Sequence, residues 1–299
     1  MNNQLGQVSA GNFTKSFGSS NSKGMFAGTK DFLESNSLVA KVAFLLLVLV
    51  VFILLLRLGV AALAYFMSPS KTPHLLNGMI DSTQQKIFPQ NPTVKGAKPI
   101  IRSVNQSDGL EFTWSVWIYI QNLEPSGQYK HIFLKGNPNI VLDGPETGMN
   151  FPNNAPGLYL GPDSNQLTVM MNTFNQINEK FVIDDIPLNK WVNVIIRVEN
   201  TTIDVYINGT IVKRHILSSV PKQNYGDVYV SMNGGFHGHT SNLWYWDYAL
   251  GTSAIQDLID QGPNMKMDDK DMTQSEPHYL SLRWFFTNDQ GTNMDYGGL

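Results

Sequence analysis

The longest unbroken pattern in the chain runs from Val42 to Leu56, fifteen residues without a polar side chain, and continues past Arg57 to Met67. A helix needs about 20 apolar residues to cross a bilayer core about 30 Å thick, so the pattern predicts a single transmembrane α-helix over residues 37–67. Arg57 is the objection, because an arginine at mid-bilayer costs about 2.5–3.5 kcal/mol, whereas each Leu, Ile, Val or Phe returns about 0.3–0.6 kcal/mol. Fourteen of the fifteen residues from Val42 to Leu56 are of those four types. Together they return on the order of 6 kcal/mol, and insertion wins. The run is longer than a span requires, so the helix can slide or tilt until Lys41 and Arg57 snorkel toward opposite interfaces. The other arrangement open to such a charge is pairing of Arg57 with a partner helix or a lipid headgroup. Ala62-Leu63-Ala64 is like a signal-cleavage triplet, but 37 residues precede the run. A signal sequence has a short charged start and an apolar core of about 7–15 residues, so an uncleaved anchor is expected.

From Ile100 the period changes to two, the mark of half-buried strands. In Phe112-Thr113-Trp114-Ser115-Val116-Trp117-Ile118-Tyr119-Ile120 the even positions are all apolar, and the odd ones carry Thr, Ser and two amphipathic aromatics. Leu158–Leu160 and Leu167–Met171 flank a loop over 161–166 that reads as a hairpin connection. Trp191–Val198 is followed by Ile203–Ile207, then Asn208-Gly209, then Thr210-Ile211-Val212. Asn-Gly between two apolar strands signals a type I′ turn, in which both central residues need positive φ. Further strands are expected at Val228–Met232 and Leu243–Tyr248, with one or two helical turns at Ser253–Ile259. Many short, closely spaced strands indicate a sandwich or jelly roll.

The remaining stretches differ in composition. Residues 1–36 are rich in Asn, Ser and Gly, with Phe13, Phe17, Phe26 and Phe32 spaced through them; such a tail cannot bury enough apolar surface to offset its ordering entropy. The scattered phenylalanines suit a membrane surface or a partner's grooves as a second role. Pro69, Pro73, Pro89, Pro92 and Pro99 predict an extended stalk over 68–99, with Leu75–Ile87 as its one short helical candidate. The expected organisation is therefore tail 1–36, helix 37–67, stalk 68–99, β domain 100–262 and a C-terminal extension 263–299, in which Tyr279–Phe286 has strand composition. Net charge is −3, so no basic field points to nucleic acid. Cysteine is absent, which leans toward a domain that matures in the cytosol. Lys23, Lys30 and Lys41, against Lys71 and Lys86, tilt the N-terminus toward the cytoplasm by the positive-inside bias, in tension with a cysteine-free C-terminal domain.

Three motifs in the β region carry a resemblance. They are the strand Phe112-Thr113-Trp114-Ser115-Val116-Trp117, the run from Trp191-Val192-Asn193 to Asp204-Val205-Tyr206-Ile207-Asn208-Gly209, and Phe236-His237-Gly238 followed by Leu243–Leu250 and Ile255. In this order they resemble the laminin-G-like, concanavalin-A-like jelly-roll superfamily. The resemblance implies an all-β, antiparallel two-sheet jelly-roll sandwich preceded by a single transmembrane α-helix. It leaves function open, because this fold hosts glycan binders, protein binders, hydrolases and structural modules.

Hydrolases of that superfamily set carboxylates closely along one strand, and retaining chemistry needs two carboxyl groups about 5 Å apart. No Glu-x-Asp-x-x-Glu run occurs. Asp184 and Asp185 are adjacent and would point to opposite faces of a strand, while Asp268, Asp269 and Asp271 sit in a polar segment. His237-Gly238-His239 could turn two imidazoles to one face but lacks a third ligand nearby. Calcium is the one cofactor held open, through the loop residues Asp143, Asp163 and Asn165. A non-enzymatic protein is expected.

Trp244, Trp246 and Tyr248 alternate along one strand, and Trp117 and Tyr119 lie on the non-core face of theirs. These five form the candidate ligand or partner face, although a strand buried on both faces reads the same way. Four glycosylation sequons, at Asn12, Asn105, Asn200 and Asn208, matter only if their side enters the secretory lumen. A cysteine-free laminin-G-like domain behind an N-terminal anchor resembles virion membrane or minor capsid components of large icosahedral DNA viruses. That resemblance implies a lipid bilayer and capsid proteins as partners and an internal virion membrane as location. The competing expectation is a cell-surface lectin or adhesin that binds glycans.

Overall fold

Alternation along Phe112, Trp114, Val116, Ile118 and Ile120 turns five large apolar side chains to one face, and all five are buried in the main core. That strand is the centre of the molecule's β unit. The computed structural model describes residues 38–103, 105–106 and 109–268. The chain divides into two compact units, Met1–Ser68 and Pro69–Leu299.

In the first unit, α1 (Leu38–Met67) is a 30-residue helix with no buried residue. At 1.5 Å per residue it is about 45 Å long. It is long and apolar enough to cross a membrane. Lys41 and Arg57, sixteen positions apart in sequence, stand about 24 Å apart along its axis.

In the second unit the strands are β1 (His74–Asp81), β2 (Lys86–Phe88), β3 (Asn105–Gln106), β4 (Gly109–Ile120), β5 (Lys130–Gly136), β6 (Asn154–Leu160), β7 (Leu167–Met171), β8 (Glu179–Ile183), β9 (Trp191–Glu199), β10 (Thr202–Ile207), β11 (Thr210–Ile216), β12 (Asp227–Val230) and β13 (Gly238–Trp246). Among the described residues one helix, α2 (Thr252–Gln261), follows them. One sheet runs β1-β13-β4-β9-β10-β11, with β3 added to β4; the other runs β2-β12-β5-β6-β7-β8. Every strand pair is antiparallel. The chain passes repeatedly between the sheets, which makes the unit a jelly-roll sandwich. Trp114 ties the layers together: its ring lies 5.3 Å from Phe133 of the opposite sheet and 5.0 Å from Tyr245 of its own.

The hairpins follow their turn chemistry. Leu160 pairs with Leu167 across the 161–166 loop. Asn208 and Gly209 both adopt positive φ, at 48° and 79°, and join Ile207 to Thr210.

The stretch expected as a stalk differs. Residues 68–99 supply β1, an edge strand paired with β13, and β2, paired with β12. Pro73 and Pro89 stand immediately outside these strands, where a missing N–H interrupts no ladder. Leu75, Leu76 and Ile80 are buried in the main core. Lys98 fixes the returning chain by donating to the carbonyls of His74 (2.9 Å) and Leu75 (2.7 Å). After α2 the chain pairs with the outer edge of β1 through Met79 N–Lys266 O and Asp268 N–Met79 O. The expected strand Tyr279–Phe286 and the tail 1–36 lie outside the described residues.

Candidate functional site

Two surfaces of the sandwich bring chemistry-bearing side chains together: the outer face of the first sheet, and a cleft between the sheets at one end.

The outer face collects the odd positions of β4, which the alternation turns away from the core. Much of it is covered. Trp246 and Ile195 form a second small core with Leu250 and Ile255, against which Tyr206, Trp244, Ala254 and Leu258 pack. α2 is therefore a lid on this face, held by its single buried residue, Ile255. Trp244 stacks on His74 at 3.7 Å and on Trp246 at 5.6 Å. Trp117 is buried, and its register partner Ser241 donates to the Asn264 carbonyl (2.8 Å) in the segment after α2. Tyr248 is exposed, and its carbonyl accepts from Thr113 Oγ1. Tyr119 is half-buried beside Trp191 (5.6 Å) and His239 (6.2 Å). The five candidates are thus divided. Trp244 and Trp246 sit together at α2, Tyr119 joins a separate half-exposed trio with Trp191 and His239, and Trp117 and Tyr248 belong to neither. Trp191 has a sequence signal, as the aromatic that opens a strand opposite Tyr119.

The cleft has a volume of about 340 Å³, within the usual range for small-ligand sites. Its aromatic wall is Phe112, Trp114 and Tyr245, and its rim carries the amides Gln90, Asn91, Gln223 and Asn224. Tyr245 donates to the Ile101 carbonyl (3.1 Å), and burial pushes its phenol above the ordinary range. Lys135 reaches in from β5. Its ammonium donates to the carbonyls of Asn224 (3.0 Å) and Gly226, and burial, partly offset by Asp227, lowers its pKa to about 8. Asp227 Oδ1 is taken by the Gln90 N–H at 2.8 Å. Arg102 also lines the cleft. No sequence motif marks this site, because its residues come from strands and loops far apart in the chain.

Elsewhere several carboxylates are engaged by neighbours. Asp204, buried, holds Arg214 through two hydrogen bonds of 2.6 and 2.8 Å and approaches Arg197 at 3.5 Å. Arg197 also donates to the Leu250 carbonyl ahead of α2. Glu179 accepts from Ser218 Oγ (2.7 Å), lies 3.1 Å from His215 Nε2 and so joins β8 to β11. Asp184 accepts from Gln166 and Asp185 has φ 59°. His237 pairs with Glu124 at 2.9 Å. Of the calcium candidates, Asp163 accepts from the Gly127 N–H (3.3 Å), Asn165 donates to the Ile186 carbonyl (3.1 Å), and Asp143 is exposed. Among the described residues no three His, Cys, Asp or Glu side chains converge as a metal site.

A family model described as the concanavalin A-like lectin/glucanases superfamily matches residues 97–256. No curated protein sequence matches the chain. Among solved structures, the receptor-binding domain of botulinum neurotoxin D is similar over 62% of this chain and 43% of that one, at 13% identity and a TM-score of 0.43. The receptor-binding domain of the botulinum neurotoxin C/D mosaic serotype is similar over 51% and 36%, at 14% identity and a TM-score of 0.40. The chain spans less than half the length of either structure.

Proposed function

We propose that this chain, which belongs to the concanavalin A-like lectin/glucanases superfamily, is a non-enzymatic, membrane-anchored recognition protein. In this reading α1 spans a bilayer and the sandwich binds a partner close to it. One observation carries the proposal: α1 is 30 residues long, uniformly apolar between Lys41 and Arg57, and has no buried residue. Apolar surface of that extent is unfavourable in water at about 25 cal/mol per Å², and a bilayer is the solvent that removes the cost. The non-enzymatic reading draws support from the ion pairs and hydrogen bonds that occupy Asp204, Glu179 and Asp184.

The setting we favour is an assembly in which the sandwich links a membrane to a protein shell, with capsid proteins as neighbours, as in a virion. Cross-linking the native membrane fraction or particle, followed by mass spectrometry, tests it. Cross-links from the sandwich to shell proteins, in a chain that stays with the membrane after alkaline carbonate extraction, are the expected result. Extraction by carbonate would sink the anchor, and the absence of shell cross-links would sink the setting.

A second reading, glycan recognition, is favoured by the half-exposed Tyr119–Trp191–His239 trio, since aromatic faces left partly open suit the apolar face of a sugar ring. Here Trp191→Ala should remove binding on a glycan array while the fold survives; an array on which the intact protein binds nothing would discard the reading.

A further inference from the structure

We propose that the end cleft between the two sheets is a binding site for a small carboxylate carried on a ring. The ring would lie against Phe112, Trp114 and Tyr245, and the carboxylate would reach Arg102 and Lys135. The inference concerns the sandwich alone and does not depend on the anchor.

The charged groups of the cleft are unbalanced toward the positive. An ammonium has three N–H groups, and Lys135 places two on backbone carbonyls, which leaves one without an acceptor among the described residues. Arg102 is exposed and makes no hydrogen bond or ion pair among the described residues. Its guanidinium offers a fork that fits a carboxylate with two parallel bonds. Two buried polar atoms of the lining, the donor Trp114 Nε1 and the acceptor Gln223 Oε1, have no hydrogen-bond partner. Against these two cations stands, among the described residues of the lining, one carboxylate, Asp227, with one oxygen committed to the Gln90 N–H.

Desolvation is the second part of the case. Lys135 is 6% exposed, and a buried ammonium is disfavoured unless it is paired. Burial has lowered its pKa to about 8, so the charged form is the strained one when the cleft is empty. An anion entering the cleft would supply the missing acceptor and stabilise that charge where the dielectric is low and ion pairing is strong. Three aromatic residues account for the ring. They supply an apolar wall of tilted rings, with planes 30° apart at Phe112–Tyr245 and 60° apart at Trp114–Tyr245, and a cavity of about 340 Å³ admits one or two rings.

The test uses the full-length protein in lipid nanodiscs, with empty nanodiscs as the blank for partitioning. Benzoate, indole-3-acetate and methyl β-glucuronide are titrated beside their uncharged counterparts benzamide, indole-3-acetamide and methyl β-glucoside, by calorimetry and ligand-observed NMR. At least one acid should bind, and its neutral counterpart at least tenfold more weakly. Arg102→Gln should weaken the acid about tenfold and leave the melting temperature in place, because Arg102 is exposed and has no partner among the described residues. The Lys135 side-chain resonance, followed by isotope-labelled lysine NMR, should titrate at higher pH once the acid is bound. Binding by the aromatic acids would identify a free small-molecule ligand, and binding by the glucuronide a glycan terminus. Equal binding of acid and neutral partner, no effect of Arg102→Gln on acid binding, or no binding by all six compounds would overturn the proposal. None of those results bears on carbonate extraction or shell cross-links, so this inference and the membrane-anchored reading fail separately.

Discussion

Single residues set how the sandwich responds to acid. His131 is buried on β5, accepts the Met232 N–H at Nδ1 (3.2 Å), and is held neutral because burial lowers its pKa from 6.5 to about 3. Between those two values the unfolded chain binds a proton that the folded chain does not, so stability falls as pH falls. The loss between pH 7 and pH 5 should be about 2 kcal/mol from this residue. Denaturant titrations at the two pH values check it, and His131→Gln should flatten the difference even though it weakens the protein at neutral pH. His74 acts in the same direction, its pKa lowered to about 4 by burial and then by Lys98. Glu179 adds a loss at lower pH. Burial alone would raise its pKa, but the hydrogen bonds from Ser218 and His215 outweigh burial and hold it below the usual carboxylate range. Its contribution is therefore present above about pH 4.5 and disappears as the carboxylate is protonated on further acidification.

At the scale of elements, legibility followed burial. β4 could be read because only one of its faces meets the main core, so the sequence alternates. Asn208-Gly209 could be read because its backbone requirement is local. β5 could not, since Lys130–Gly136 is buried throughout and its lysines at both ends suggest a surface. Those lysines each place ammonium N–H groups on backbone carbonyls, an arrangement with no sequence period. Trp244 and Trp246 show the reverse case. Their alternation was visible, but the cover that α2 provides is a matter of tertiary packing. Removing side-chain volume beneath that cover measures its worth: Ile255→Ala should cost about 2–4 kcal/mol. A quenching assay on tryptophan fluorescence should then find Trp246 more accessible. If stability and accessibility stay at their original values, α2 is not the lid described.

At the scale of the molecule, the family match begins at residue 97, whereas the second compact unit begins at Pro69. The difference is β1 and β2. A soluble piece begun at Ile100 would bare the edge of β13 in one sheet and of β12 in the other, and bare edges pair with whatever strand is available. Such a piece should self-associate on size-exclusion chromatography, while one begun at Pro69 should elute without that excess association. The cleft would suffer as well, because Gln90 and Asn91 belong to the omitted stretch. This is also why the cleft was invisible in sequence: its rim is shared between the family region and residues that precede it.

In the membrane-anchored protein proposed above, β1 and β2 would make attachment to the anchor partly independent of chain continuity. The segment Asn91–Gly96 is exposed and is the natural place for a protease to cut. β1 and β2 lie on the anchor side of such a cut, yet they remain seated in the sandwich through ladder hydrogen bonds, the burial of Leu75, Leu76 and Ile80, and the Lys98 contacts. A nick engineered at 92–95 should therefore leave the sandwich sedimenting with the membrane under native conditions and release it only in denaturant. The same recognition sequence placed at 69–71 should shed it at once. Shedding from both positions alike would mean that β1 and β2 add no grip of their own.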